Sequence, residues 1–534
     1  NTGKSPKHSL SFRFRAEYGA GKLRENLFPD GPVSEFNVIV LRAGYNNSWI
    51  HSNSGQRRRG SMIRDQWARE AMLDMGHPDA GRGFMVHLFI NGLYWGVHNL
   101  CERQDAAHYA AYNGGDEDTL DARNGSDFID GNSNAWNTMK SVVAARNWTR
   151  IQQVLDVDTY IDYQIVNRYG GNGDLKSNGN WRAAGGGPRR IAWKLYSWDG
   201  ERILEGQTST PQPLDPMGVR SYLDSMSEYK LRFGDRLQKH FFNGGAMTPD
   251  ACMARWMKFA TPLDRAIIAE SARWGDHRRN PEYTRNGEWL TERNRLNNSY
   301  FPVRSNNVLA RYESQGFYPS IDAPTFRIGN SPQHGGVIAS GGFLRILGTG
   351  TIYYTLDGSD PRLQGGAINP SATAITSGAT VSLPASGLVR VRARSGSVWS
   401  ALDEATFYLE PLATPGDLHV EEVNYHPAPA SALEKVAAAA LPTPKLLTNA
   451  DLFEFIEICN FSADAVNLDG VKFDAGIDFT FGNTVLGPGA CAVVVKDPEA
   501  FAIRYPGVPI AGTFTGNLDN DGENIALIVG GGDI

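Results

Sequence analysis

Three polar clusters in the front half of the chain carry the side chains that could do chemistry. The first is Gly171-Asn172-Gly173-Asp174-Leu175-Lys176-Ser177-Asn178-Gly179-Asn180-Trp181. The second, Ser197-Trp198-Asp199-Gly200-Glu201, follows a strand-like run at 190–196. The third joins Lys7, in the first strand region, to Glu70 on an early helical pattern. Phosphoryl transfer needs such parts in this chain order. A lysine on an early strand contacts phosphates and a helix glutamate orients it. A loop aspartate accepts the hydroxyl proton, and an asparagine a few residues on binds the metal. A second aspartate, at a strand end, holds Mg²⁺. Carboxylate and amide oxygens suit this hard cation, which keeps waters and phosphate oxygens among its ligands. Asp174, Asn180 and Asp199 stand in that order. The spacing by itself is not specific: no G-x-G-x-x-G, H-R-D or D-F-G string is present, and Asp and Asn in Gly-rich loops are commonly turn formers.

Elements that would position these groups follow from periodicity. Residues 9–15 read S-L-S-F-R-F-R and predict a strand with Leu10, Phe12 and Phe14 on one face. Residues 36–41 predict a second strand. Ile63, Trp67, Ala71 and Met75 recur every fourth residue, so 62–75 reads as an amphipathic, surface-type helix stopped by Gly76 and Pro78. Residues 84–100 read as two paired strands around Asn91-Gly92, a dipeptide that supplies the positive φ of a tight hairpin. Helices are expected at 158–169 and, after the Thr248-Pro249-Asp250 start signal, as one or two helices over 251–276. Beyond about residue 320 short β-type runs dominate (343–347, 351–355, 389–393, 453–458, 478–481, 490–495), with a loop and one short helix expected in the Ala/Pro-rich stretch 427–449.

Other polar features have local readings. The basic run Gln56-Arg57-Arg58-Arg59-Gly60 reads as a solvated loop before a phosphate contact. Arg64-Asp65 reads as a capping and ion-pair device. Glu102 follows the hairpin where a hinge would lie and suits either a structural or a nucleotide-edge role. No histidine pair has H-E-x-x-H spacing. Asn124-Gly125-Ser126 and Asn297-Asn298-Ser299 fit the glycosylation sequon.

Composition bounds the answer. A chain of 534 residues suggests about three domains. Its net charge of −6 lacks the basic surface of a general nucleic-acid binder. With 41% hydrophobic residues it can build packed cores, and no run of 18 apolar residues predicts a membrane span. Cys101, Cys252, Cys459 and Cys491 are too few and scattered for a disulfide scaffold or zinc site. Beginning at Asn1 and ending in Gly531-Gly532-Asp533-Ile534, the chain reads as cut at both ends, so a signal peptide or anchor would lie outside it.

A set of strings spread over about 300 residues resembles the CotH kinase family, atypical protein-kinase-like proteins named for a bacterial spore-coat protein. They are Pro6-Lys7-His8-Ser9, Glu17-Tyr18-Gly19-Ala20-Gly21-Lys22-Leu23, Leu27-Phe28-Pro29-Asp30, Val40-Leu41-Arg42-Ala43-Gly44 and Ile63-Arg64-Asp65. Ile90-Asn91-Gly92-Leu93-Tyr94-Trp95-Gly96-Val97, Glu102-Arg103, Gly171-Asn172-Gly173-Asp174, Asn180-Trp181 and Trp198-Asp199 complete the set. The resemblance implies a kinase-like fold that uses ATP and Mg²⁺ to phosphorylate secreted or coat proteins on hydroxyl side chains. It implies Asp174 as the catalytic aspartate, Asn180 (Asn178 as fallback) and Asp199 as metal ligands, and Lys7 as the phosphate lysine. Beside these, Glu70 reads as a partner of that lysine or as a solvated helix residue, and Glu102 is the candidate for the nucleotide edge. The sequence departs from the family pattern at Ser11, where a basic residue is usual, at Leu175, where an aromatic is common, and at Glu201, in place of aspartate.

Two further resemblances lie behind it. Thr351-Ile352-Tyr353-Tyr354-Thr355-Leu356-Asp357-Gly358-Ser359-Asp360-Pro361, with residues 389–394 and Trp399-Ser400, is similar to the β-sandwich at the C-terminus of chitobiases and beside fibronectin-type modules. Its tyrosines suit core packing better than sugar stacking. Residues 417–534 resemble a lamin-tail domain through Val420-Glu421-Glu422-Val423-Asn424-Tyr425-His426-Pro427, residues 454–460, Leu486-Gly487-Pro488-Gly489 and residues 516–523. The last string reads as a turn before a calcium loop. In that fold Cys459 and Cys491 come close, as a disulfide or as two buried thiols. The expected architecture is multidomain: an α+β atypical protein-kinase-like domain at 1–320, then two all-β immunoglobulin-like sandwich domains at 321–412 and 413–534. The expected function is an exported, extracellular or cell-surface Ser/Thr protein kinase with ATP and Mg²⁺ as cofactors and protein hydroxyls as substrate. The β domains are expected to touch polysaccharide or the cell surface, and neither nucleic acid nor a membrane span is expected. The alternative is a non-catalytic, pseudokinase-headed surface or matrix binding protein.

Overall fold

The computed structural model describes residues 5–175, 179–188, 191–206, 215–338, 342–529 and 532–533. The backbone forms two compact units. One comprises residues 1–323 with 364–367 and 396–403, and the other the remainder.

The first unit mixes helices with two antiparallel sheets. Strands β1 (Leu10–Arg13), β2 (Val38–Arg42), β3 (Gly83–Ile90) and β4 (Leu93–Glu102) form a sheet in the order β1-β2-β4-β3. Helix α1 (Arg64–Asp74) lies in the chain between β2 and β3. Asn91 and Gly92 turn β3 into β4 at φ 50° and 78°, the left-handed conformation expected of that dipeptide. Leu10 of β1 and Phe14 just beyond it are half-buried but Phe12 is 47% exposed, so the alternating face is only partly covered. The reason is position: β1 is an edge strand and has a neighbour only on its β2 side.

A second sheet has the order β8-β7-β5-β6, from β5 (Asp121–Asn124), β6 (Asp127–Asp130), β7 (Trp181–Gly186) and β8 (Ile191–Ser197). Between β6 and β7 runs α2 (Val157–Gly170), buried over almost its whole length. Asp156 caps its start by accepting from the Thr159 amide at 2.9 Å, and Gly171 ends it in the left-handed region. Helix α3 (Ser227–Phe241) follows. Residues 249–274 then form one helix, α4 (Pro249–Trp274), which runs through Pro262. The unit closes with α5 (Phe301–Ser314). Its core stacks Trp67 of α1 on Tyr169 of α2 and Phe301 of α5, with ring centroids 5.8 and 6.1 Å apart.

Helix α1 corrects the expectation of a surface-type helix. Every residue from Arg64 to Met72 is buried. Its polar side chains are absorbed by partners inside the fold: Arg64 by Glu292 at 2.5 Å, Asp65 by Arg42, and Arg69 by Asn99 at 2.6 Å. A buried polar face of this kind is tolerated because each charge meets a counter-charge or hydrogen bond. The basic run at 57–59 is likewise structural in its contacts. Arg57 donates to the His51 carbonyl and the Tyr283 hydroxyl, and Arg59 to the Glu205 carbonyl.

The second unit is predominantly β. Phe326, Leu344, Ile346, Ile352, Val389, Val391 and Phe407 form one core, with Thr351–Thr355 paired antiparallel to Gly387–Ser395. Tyr353 and Tyr354 flank the fully buried Ile352 and are half-buried. A separate core joins Leu418, Ile456, Ile458, Phe473, Leu486, Val494 and Leu527. Strand Phe455–Asn460 lies between Leu418–Asn424 and Cys491–Val495. Cys459 and Cys491 are direct cross-strand partners and form a disulfide, which resolves the two readings of that pair. Residues 519–523 form a turn in which the Glu523 carboxylate accepts from the Asp519 amide. The loop at 427–449 contains one helix, Ala432–Ala439.

Candidate functional site

The chemistry-bearing residues meet at the C-terminal end of α2 and the open end of the β7–β8 ribbon. The carbonyls at the end of α2 have no helical partners of their own. Buried Arg304 donates to the Tyr169 and Arg168 carbonyls at 2.6 and 2.7 Å, and the Leu204 amide donates to the Gly170 carbonyl at 2.6 Å. Gly170 has to be glycine-sized, since a Cβ there would stand 2.9 Å from Ile203 Cβ. The loop leaving this anchored helix end is therefore launched from a fixed point. Asn172 accepts from the Asp174 amide at 3.2 Å, an Asx turn that sets the backbone of Asp174.

Asn180 closes the loop. Its side-chain nitrogen donates to the Asp174 carbonyl at 2.6 Å, so its amide oxygen is the atom that could meet a metal. Asn180 and Asp199 both occupy the left-handed region, at φ 65° and 62°, a conformation that Asn and Asp tolerate best among side-chain-bearing residues. The pairing of Trp181 with Ser197 puts both at the same end of the ribbon. Asp174, Asn180 and Asp199 are thus brought into one neighbourhood; Arg202, one turn beyond Asp199, is raised above its ordinary value first by its hydrogen bond to Glu205 and last by the Asp174 charge. Asn178 lies outside the described residues.

Arg42, at the end of β2, binds this group to α1. Its Nη2 lies 2.5 Å from Asp199 Oδ1 and 2.9 Å from Glu201 Oε1, and its Nε lies 3.4 Å from Asp65 Oδ2. Asp65 also accepts from the Gly200 amide at 2.8 Å, so α1 holds the turn that carries Asp199. Burial opposes charge on Asp65, yet Arg42 and Arg69 hold its carboxyl below the ordinary value. Glu201 goes the other way. Burial, then the Asp199 charge, pushes its carboxyl up to about 7, against the pull of Arg42. Its Oε2 accepts from the Asn46 amide at 2.7 Å. The Asp199 side chain is 34% exposed and is the part of this cluster that reaches solvent.

The remaining predicted residues lie elsewhere. Lys7 is fully buried in an ion pair with Glu270 of α4 at 2.7 Å, and Glu270 also accepts from the Val97 amide at 2.7 Å. Glu70, read either as the partner of Lys7 or as a solvated helix residue, is neither: it is buried and away from that pair. Glu70 instead pairs with Lys258 and faces a groove of about 900 Å³ lined by Phe84, Met85, Leu73, Phe259 and Leu263; none of Asp174, Asn180 and Asp199 lines that groove. Glu102 is buried at the end of β4, where it accepts from the Arg82 amide at 2.6 Å and the Tyr112 hydroxyl at 2.8 Å. Its carboxylate is committed to these two donors, which favours the structural of its two readings.

The donor atoms near Asp199 are all hard oxygens: two carboxylates and the Asn180 amide. They do not build a full protein cage. Among the described residues, the one group of three converging ligand atoms is Glu457 with Cys459 and Cys491, whose sulfurs are bonded to each other. A site with one or two protein ligands fits Mg²⁺, which retains waters and phosphate oxygens. The family model for CotH kinase protein matches residues 1–292, more than half of the chain. The chain belongs to the CotH kinase family. No curated protein matches it. Family membership points to an atypical protein kinase, with ATP and a divalent metal as the cofactors such proteins use in general. In this CotH kinase chain, reasoning from sequence missed Arg42, Asp65 and Glu270 and the contacts they make. Arg42 and Asp65 stood in strings already singled out, but only the fold shows their contacts. Glu270 is 263 residues from its partner and carries no local signal.

Proposed function

We propose that the first unit transfers the γ-phosphate of ATP to serine or threonine hydroxyls of exported proteins. The observation that carries this reading is the cluster of Asp174, Asn180 and Asp199 at one end of the β7–β8 ribbon, in a chain of the CotH kinase family. Asp174 orients the acceptor hydroxyl and takes its proton. Asp199 and the Asn180 oxygen hold Mg²⁺, with Glu201 behind them, and Arg42 keeps the two carboxylates in register. The metal, when bound, neutralises charge developing on the phosphoryl oxygens. Lys7 and Glu270 form the lysine–glutamate pair of this scheme, with Glu270 in the role first given to Glu70.

The β modules behind the kinase, at 321–412 and 413–534, take the roles of a chitobiase C-terminal-type module and a lamin-tail domain that contact polysaccharide or the cell surface. Export is supported by the Cys459–Cys491 disulfide, since such bonds persist in oxidising compartments. A second reading, a non-catalytic head, is favoured by the complete burial of Lys7, which keeps its ammonium from solvent. Calorimetric titration with ATP separates the roles. Wild type should bind ATP in a Mg²⁺-dependent way, and Asp199→Asn should lose at least about tenfold of that affinity. Mg²⁺-dependent binding of equal strength in both proteins would remove Asp199 from the metal site.

A further inference from the structure

Arg182, the second residue of β7, is a buried cation with no counter-ion among the described residues. It is 6% exposed. Its Nη1 donates to the Gln104 carbonyl at 3.0 Å, while its Nε is buried with no hydrogen-bond partner. Among the described residues no carboxylate lies within ion-pairing distance of it. Its guanidinium carbon stands 3.9 Å from the centre of the Trp198 ring. Arg42, which grips Asp199 and Glu201, stands 4.4 Å from the same ring centre. The two guanidinium groups can therefore be no further apart than the sum of those distances, which puts Arg182 in the neighbourhood of the proposed metal aspartate.

Burying an arginine costs several kcal/mol unless an anion or a full set of acceptors compensates it. One carbonyl and one aromatic face are modest compensation. The neighbourhood adds to the cost. The nearby Arg103 charge opposes the buried cation, and Asp105 offsets it only in part. Arg103 is itself tied to Asp105 at 3.3 Å. A planar fork with unused donors, held rigid by stacking and next to a metal-binding carboxylate, matches the geometry of phosphate oxygens. Lys7, the sequence-based choice for this task, is sealed in its pair with Glu270.

We propose that Arg182 binds a phosphoryl group of the nucleotide, supplying the cation that the site presents to the polyphosphate chain. The assignment rests on the phosphotransfer reading for its ligand, but it is tested by binding and not by activity. Full-length wild type, Arg182→Gln and Arg182→Lys are titrated calorimetrically with tripolyphosphate, Mg²⁺-ATP, adenosine and a phosphoserine peptide. The expected result is tripolyphosphate and ATP binding that weakens at least tenfold in Arg182→Gln and less in Arg182→Lys, with adenosine binding unchanged. Failure of wild type to bind tripolyphosphate overturns the assignment. So does unchanged tripolyphosphate and ATP affinity in a folded Arg182→Gln, even if wild type transfers phosphate. Arg182-dependent tripolyphosphate binding by a protein that transfers none upholds the assignment and defeats the phosphotransfer reading. Tighter binding of the phosphoserine peptide than of tripolyphosphate overturns the nucleotide as the source of the phosphate. Should the glutamine variant fail to fold, wild type crystallised with tripolyphosphate decides the matter: the anion within hydrogen-bond distance of Arg182 upholds the assignment, and the anion elsewhere overturns it.

Discussion

His98 shows how tightly single residues are conditioned around the buried Lys7. Its ring faces the Gly96 and His8 carbonyls at 3.3 and 3.2 Å, and it lies near Lys7. Burial, then the Lys7 charge, pushes its pKa down to about 4 from an ordinary value near 6.5. The folded state therefore binds fewer protons than the unfolded state between these values. Stability is full above pH 6.5 and is lost as the pH falls towards 4, by roughly 2 kcal/mol between pH 7.5 and 5. Denaturant unfolding of the first unit, followed by tryptophan fluorescence across that range, should show this slope in wild type and a shallower one in His98→Asn. Parallel curves would mean that His98 is not held neutral. None of this was legible in the sequence, where His98 was one of eleven histidines without a motif.

At the scale of elements, the two ion pairs that α4 makes, with the segment before β1 and with α1, differ sharply in worth. Lys7 and Glu270 are both fully buried, so removing one partner leaves a bare charge in the interior. Glu270→Gln should cost about 3–5 kcal/mol of stability. Glu70 pairs with a Lys258 side chain that is 53% exposed, and Glu70→Gln should cost about 1 kcal/mol or less. Chemical denaturation of both variants checks the contrast, and equal losses would refute it. The hairpin at Asn91-Gly92 and the span of α1 were readable because turn chemistry and helical period are local properties. The burial of α1 was not readable. Its polar face is matched by Arg42, Asn99 and Glu292, which lie on other elements far along the chain. The order of Asp174, Asn180 and Asp199 was visible in the sequence, whereas the Arg42 bridge that joins them to α1 needs the fold.

At the scale of the molecule, chemistry and the disulfide belong to different units. The Cys459–Cys491 bond closes a loop of sequence separation 32 within the second unit. On chain-entropy grounds its reduction should lower that unit's stability by about 4 kcal/mol. Calorimetric melting with and without reductant should show the shift in the transition of the second unit only, with ATP binding by the first unchanged. Loss of ATP binding on reduction would tie the β modules to the site. The central claim is that the neighbourhood of Asp174 and Asp199 transfers phosphate. Its most direct test is incorporation of γ-labelled phosphate from ATP into protein hydroxyls by the full-length chain, with Asp174→Asn and Asp199→Asn alongside. Mg²⁺-dependent incorporation by wild type that drops on the order of 100-fold in either variant is the predicted result. Equal incorporation by wild type and Asp199→Asn would contradict it.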